Sequence, residues 1–239
     1  GYTPLGEFSI DDKVISLDQY PAVRTALWVG VLNNDAIIEK TVREDGGVDY
    51  RMVGDPTEGS ILVAAYKAGA VTAELNKAYP RKNEIPFDSE RKRMVTIHSV
   101  DDPRLEDLSP FKDGTNKDWS VIAVKGAPDV VLNLCTRYQP TDDGTPIEMD
   151  DAARKRILAA NDAMPNHALR VLGVAYRTVQ GAPDTTESHN LEQDLVFAGL
   201  IGMIDPARPE VKPAMETASR AGIRTIMITG DYPNTARAI

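Results

Sequence analysis

A single cysteine, Cys135, in 239 residues leaves no partner for an intrachain disulfide. Packing and hydrogen bonds must hold the fold, as suits a reducing compartment. The histidines are also few: His98, His167 and His189 are scattered singly, and a zinc site built from them with Cys135 would need unrelated positions to converge, so no metal site is expected. Long apolar runs are missing. The longest, 195–204 and 223–228, reach about half or less of the ~18 residues that a bilayer crossing needs. No basic segment followed by an apolar stretch is visible, so no signal peptide is expected. Positive charge is in deficit, with 27 Lys and Arg against 36 Asp and Glu, and the net −9 opposes a nucleic-acid partner or an anionic membrane surface.

What remains is a chain 42% hydrophobic and 26% charged, long enough for one large domain or two small ones. Asp55-Pro56-Thr57-Glu58-Gly59 predicts a helix start, with Asp55 as N-cap, Pro56 at the first helical position, Glu58 at the third and Gly69 as the stop. Residues 93–100 alternate, with Val95 and Ile97 on one face and Met94, Thr96 and His98 on the other, which predicts a half-buried strand. A second strand is expected over 119–125, joined to it by a polar loop over 101–118 in a hairpin-like connection. After Gly126-Ala127-Pro128 a helix should carry Val130, Val131 and Leu134 inward and end near Cys135. Asp150 and Asp151 open another helix with Ile157, Ala160 and Met164 at helical spacing; strands follow over 168–179 and 195–204, with a polar loop over 181–190 between them.

At Asp205-Pro206-Ala207-Arg208-Pro209 the character changes. Two prolines stop the strand and start a helix over 210–221 ended by Gly222, and the apolar run 223–228 then reads as a strand buried on both faces of a parallel sheet. The fold class expected is therefore α/β of the α+β kind: a mostly antiparallel sheet flanked by helices up to about residue 204, then a short piece of a parallel α/β domain. One such strand and its helix cannot build a core, so the sequence reads as excised from a larger protein.

Four local signals carry chemistry, and each also has a plain structural reading. Lys125 ends a strand beside Gly126, a glycine that lets a ligand approach the backbone; a strand-end lysine is also commonly just solvated. Phe87 precedes the cluster Arg91-Lys92-Arg93, and an aromatic face beside cations suits a purine with its phosphates; it could equally cap a strand. Glu58 in a first helical turn is either a ligand contact or a capping-box glutamate. Thr229-Gly230-Asp231 follows a buried-type strand, the usual place for an α/β active site, but Gly-Asp is also ordinary turn chemistry.

In this order the residues resemble the cation-transporting P-type ATPases, the pumps that form an aspartyl-phosphate. The matching elements are Gly54-Asp55-Pro56-Thr57-Glu58, Pro86-Phe87 with Arg91-Lys92-Arg93-Met94, Lys125-Gly126-Ala127-Pro128-Asp129, Asp205-Pro206-Ala207-Arg208 and Met227-Ile228-Thr229-Gly230-Asp231, and they run the length of the chain. Within the family the chain is most similar to the calcium-pump branch, through Gly1-Tyr2-Thr3-Pro4-Leu5-Gly6-Glu7-Phe8 and Ala221-Gly222-Ile223-Arg224. The resemblance implies a nucleotide-binding (N) domain over 1–204, a hinge over 205–208, and over 209–239 a fragment of a haloacid-dehalogenase-like phosphorylation (P) domain. It implies Phe87 stacked on adenine, Glu58 at the adenine amino group and Lys125 lining the pocket floor, with Gly126 and Met94 also among the nucleotide-binding residues. Lys92 and Arg170 would lie towards the phosphates, Arg170 because Leu169-Arg170-Val171-Leu172 resembles the family's arginine-bearing strand. Asp205 and Arg208 would set the hinge and help hold the phosphates, while Thr229, Gly230 and Asp231 would face the phosphorylation site.

The implied ligand is ATP or ADP with Mg2+, and the implied partners are the remaining P domain, the actuator domain and the membrane helices of a pump, on the cytosolic side of a membrane. Departures are Ala207 in the hinge, where the family has a second proline, and Ser89, where several relatives carry arginine. No Asp-Lys-Thr-Gly-Thr element is present, so nucleotide binding without turnover is expected. A free-standing phosphohydrolase of the haloacid-dehalogenase type needs an early Asp-x-Asp nucleophile, and Asp11-Asp12 is followed by Lys13-Val14 rather than Gly-Thr. The third reading is an acidic interaction module with no nucleotide site.

Overall fold

A computed structural model describes residues 3–103, 108–110, 117–183, 188–204, 208 and 210–228. A short hairpin, β1 (Phe8–Ile10) and β2 (Lys13–Ile15), precedes helix α1 (Pro21–Leu32). A second hairpin, β3 (Ile37–Val42) and β4 (Val48–Val53), leads into α2 (Pro56–Lys67) and α3 (Thr72–Ala78). Then come β5 (Arg81–Asp88), β6 (Arg93–Ser99), β7 (Trp119–Gly126), α4 (Pro128–Asn133), β8 (Cys135–Tyr138) and β9 (Ile147–Glu148). The remaining elements are α5 (Asp151–Ala163), β10 (Arg170–Gln180), α6 (Ser188–Leu191), β11 (Leu195–Met203) and α7 (Val211–Arg220).

The seven-stranded sheet runs in the order β5-β6-β7-β10-β11-β8-β9. Only the β11–β8 pairing is parallel, so the sheet is mostly antiparallel, as its hairpin-like connections predict. Helices cover both faces. Alternation along β7 assigns the layers: Val121 and Ala123 pack with Trp28, Leu32 and Leu62 from α1 and α2, whereas Ile122 and Val124 pack with Val131, Leu132, Leu195 and Phe197. Trp28 is the aromatic hinge of the first layer, edge-on to Tyr79 and Tyr176 at 5.2 and 6.1 Å between ring centroids.

Two-sided cover changes one expectation. β6 is buried on both faces rather than half-buried, with Met94, Thr96 and His98 as enclosed as Val95 and Ile97. Helix α4 stops at Asn133 because β8 begins at Cys135; it buries Val131 and Leu132, leaving Val130 and Leu134 half-buried. In α5 the inward positions are Ala153, Ile157 and Leu158, and Ala160 is exposed. The N-terminus of α2 forms as its sequence predicts: Asp55 accepts the Thr57 N–H at 2.7 Å, and Gly69, at φ +87°, ends the helix region.

The described residues beyond 204 differ from expectation. Helix α7 forms, but 223–228 is not a strand, and Ile223, Ile226 and Ile228 are 61%, 76% and 95% exposed. A strand exists only through hydrogen bonds to a neighbour, and among the described residues none flanks this segment. Asp205, Thr229, Gly230 and Asp231 lie outside the described residues. Among those described, no helix is long and apolar enough to cross a membrane.

Candidate functional site

The site grows from the end of β7. Lys125 follows Ala123 on the face of α1 and α2, and its side chain is 8% exposed. An ammonium so enclosed needs partners, and two reach it: Lys125 Nζ donates to Glu58 Oε1 and to the Asn33 carbonyl, each at 2.6 Å. Burial holds the lysine below its ordinary value, and the hydrogen bond and charge of Glu58, with Asp35 and Asp55 beyond, oppose that shift.

Glu58 stands at the third position of α2, where a capping-box glutamate would turn back to its own N-cap. It turns outward instead, with Oε1 on Lys125 and Oε2 on the Asp35 N–H at 3.0 Å. Its helix is capped by Asp55, whose carboxyl is held below the usual range: burial alone would raise it, but the Thr57 hydrogen bonds, the Glu58 N–H and the charge of Arg170 outweigh that. Arg170, exposed at the start of β10, is thereby tied electrostatically to the same helix end.

The turn after α1 forms the collar of the pair. Asn33, fully buried, donates through Nδ2 to the carbonyls of Met94 on β6 and Ala123 on β7, at 3.1 and 2.8 Å. Asn34 donates to the Glu58 carbonyl at 3.0 Å. Arg81 grips the turn from outside, with Nη1 on Asp35 at 2.6 Å and Glu84 at 2.8 Å, and Nη2 on the Asn34 carbonyl at 2.7 Å. Asn33, Asn34 and Arg81 were not singled out from the sequence. An Asn-Asn-Asp stretch after a helix reads only as a turn, and its partners lie as far as 92 residues away.

The hairpin between β5 and β6 approaches the same corner. Asp88 Oδ1 accepts the N–H groups of Glu90 and Arg91, both at 2.9 Å; these bonds, Arg91 first, lower its carboxyl below the ordinary value. Lys92 takes a left-handed φ of +53°, and its carbonyl accepts the Ala127 N–H at 2.9 Å. The space beside the Gly126 α-carbon is filled by that hairpin: a Cβ there would lie 2.4 Å from the Lys92 carbonyl oxygen. The glycine therefore permits strand to meet strand. Lys92 itself is exposed, and among the described residues it forms no ion pair. Phe87, on edge strand β5, is 63% exposed, an unusual state for a phenylalanine that nothing among the described residues covers.

The structure thus brings Glu58, Lys125, Gly126, Lys92 and buried Met94 to one corner, with Phe87 on the hairpin that forms its edge. Arg170 joins through Asp55. Arg208 is exposed and belongs to none of these contacts. A residue not anticipated from sequence is Glu192, which binds Arg91 and Arg93.

Comparison with known proteins matches residues 22–210 to the family described as P-type ATPase, cytoplasmic domain N. Among curated proteins, a calcium-transporting ATPase of Bacillus subtilis is 36% identical over 239 residues, covering 100% of this chain and 24% of its own. A cation-transporting ATPase of Synechocystis is 37% identical over 244 residues, with the same coverage of 100% and 24%. A calcium-transporting ATPase of Listeria monocytogenes is 35% identical over 217 residues, 90% of this chain and 22% of its own. The chain spans about a quarter of the length of the curated relatives it matches.

Proposed function

The chain belongs to the family of the P-type ATPase cytoplasmic domain N, and from that premise we propose that it binds ATP for a cation-transporting pump. The observation that supports this best is the meeting of Glu58, Lys125 and the β5–β6 hairpin. Elements 67 residues apart join through one ion pair, and nothing in the plain structural readings of a helix cap and a strand-end lysine requires that.

In this reading adenine stacks on Phe87, whose exposed ring offers a face at the sheet edge. The Glu58 carboxylate, positioned by Lys125, is an acceptor suited to the adenine amino group. Lys125 spends two of its three donors on Glu58 and the Asn33 carbonyl, which leaves one for the ligand. Met94, opposite Lys125 in the strand pair, forms the floor with it, and Gly126 lets the hairpin close against β7 beside them. Lys92 and Arg170 take the phosphates, with Asp205 and Arg208 at the hinge. Both Glu58 oxygens are already engaged, so the triphosphate itself would hold magnesium, which would supply charge neutralisation there.

The domain reading is an N domain over 1–204, a hinge over 205–208 and a P-domain part over 209–239. Thr229, Gly230 and Asp231 face the phosphorylation site of the whole pump, where the γ-phosphate passes to an aspartate outside this chain. The names of the Bacillus and Listeria relatives support calcium as the transported ion, and the family description supports the chain as part of the cytosolic head of such a pump. Titration calorimetry with ATP on the wild type and Phe87→Ala tests the site. The expected result is binding that weakens roughly ten-fold in the variant; equal affinity in both, or none in either, sinks the assignment.

A further inference from the structure

The three adjacent cations of the hairpin are not equivalent. Arg93 shares its face of β6 with Val95 and Ile97, which pack into the core layer of α4 and β11. Lys125 and Glu58 lie on the opposite face, under α1 and α2. On the far side Arg91 and Arg93 both close on Glu192, with Arg93 Nε donating to Glu192 Oε2 at 2.9 Å. Glu192, between α6 and β11, is 4% exposed, and its neighbours Leu191 and Leu195 belong to the same core layer. A carboxylate buried there is tolerable only with such partners, and two guanidiniums satisfy both of its oxygens.

The result is a division of charge. Arg91 and Arg93 are committed to Glu192 on the far face, while Lys92, turned out by its left-handed backbone, stays exposed. Three free cations in a row would bind any polyanion, with an affinity set by charge and salt and indifferent to a base.

We propose that Glu192 is a specificity-determining residue of the nucleotide site: by holding Arg91 and Arg93 on the far face of the sheet, it leaves Lys92 as the one cation of the Arg91-Lys92-Arg93 cluster offered to phosphate. Binding then depends on the adenine contacts, and a polyphosphate without a base is held poorly. This rests on the nucleotide reading given above.

The test compares inorganic tripolyphosphate, adenosine and ATP as titrants. In Glu192→Gln, tripolyphosphate should bind about two- to five-fold tighter than in the wild type, with steeper salt dependence, and adenosine should be unchanged. A merely structural role for Glu192 would give loss of binding or no change, and either result overturns the proposal. Two further variants keep the test open if Glu192→Gln does not fold. Lys92→Gln should weaken tripolyphosphate binding, whereas Arg91→Gln, whose guanidinium is already held by Glu192, should leave it within about two-fold of wild type. Equal weakening in both variants overturns the proposal. A wild type that binds neither ATP nor tripolyphosphate overturns the nucleotide reading and this inference together. ATP binding that Phe87→Ala weakens as expected, with tripolyphosphate unmoved by Glu192→Gln, overturns the inference alone.

Discussion

Lys125 Nζ and Glu58 Oε1 meet at 2.6 Å across 67 residues of chain, with 8% and 15% of their side chains exposed. The pair joins the end of a central strand to the first turn of α2, so the sheet and the helix layer share one electrostatic contact at the candidate site.

The two halves of that pair should not be equal in mutation. Glu58→Ala leaves an enclosed ammonium with only the Asn33 carbonyl, whereas Lys125→Met leaves a carboxylate that keeps the Asp35 N–H and some access to water. The expected cost is about 2–4 kcal/mol for the first and about 1 kcal/mol for the second. Urea midpoints at pH 7 measure both, and a larger loss in Lys125→Met would contradict the assignment of which group depends on the other.

Phe87→Ala should separate binding from stability. The ring is 63% exposed on an edge strand, so its removal should cost under about 1 kcal/mol of folding free energy. A thermal or urea midpoint close to wild type, alongside weakened ATP binding, is the expected pair of results; a large fall in stability would return the ring to a packing role.

Gly126→Ala places a methyl 2.4 Å from a backbone carbonyl and 2.7 Å from Arg93 Cβ, neither the free end of a flexible side chain. The start of β6 must move away, with loss of at least about 2 kcal/mol. Amide exchange should quicken at Arg93 and Met94, and wild-type protection at those amides would show that the strands tolerate the methyl.

His98 makes stability depend on pH. Its ring is 1% exposed, and burial pushes it down to about 4 from 6.5, against the hydrogen bond to the Tyr79 carbonyl. Between those values the unfolded chain holds a proton that the native state refuses, so stability rises with pH and falls on acidification from 6.5 to 4. The loss attributable to this ring is about 3 kcal/mol. His98→Gln should flatten the urea-midpoint profile across that window; a variant with the same slope as wild type would assign the dependence to other groups.

Local chemistry made much of this protein legible in advance. The Asp55 cap, Pro56 and Gly69 define α2 through bonds made within a few residues, and the hydrophobic period identified β6, β7, β10 and β11. Lys125, Glu58 and Phe87 could be picked out because each is a residue type whose chemistry invites a question at its position. Asn33, Arg81 and Glu192 could not, since an asparagine, an arginine and a glutamate in polar surroundings look solvated until their partners are known.

By itself, then, the sequence determined α2, α4, α5, α7, β6, β7, β10 and β11, the family resemblance and the candidate residues, because propensity, capping and motif spacing act along the chain. Tertiary structure alone decided their relations. It turned Glu58 from its own helix cap to Lys125, made Gly126 a point of contact between strands, and drew Arg91 and Arg93 to Glu192, away from Lys92. It also left 223–228 outside any sheet. The physical reason is common to all of these: a buried charge or a strand backbone takes whichever partner the packed layers bring within hydrogen-bond reach, and that partner is set by the fold and not by distance along the chain.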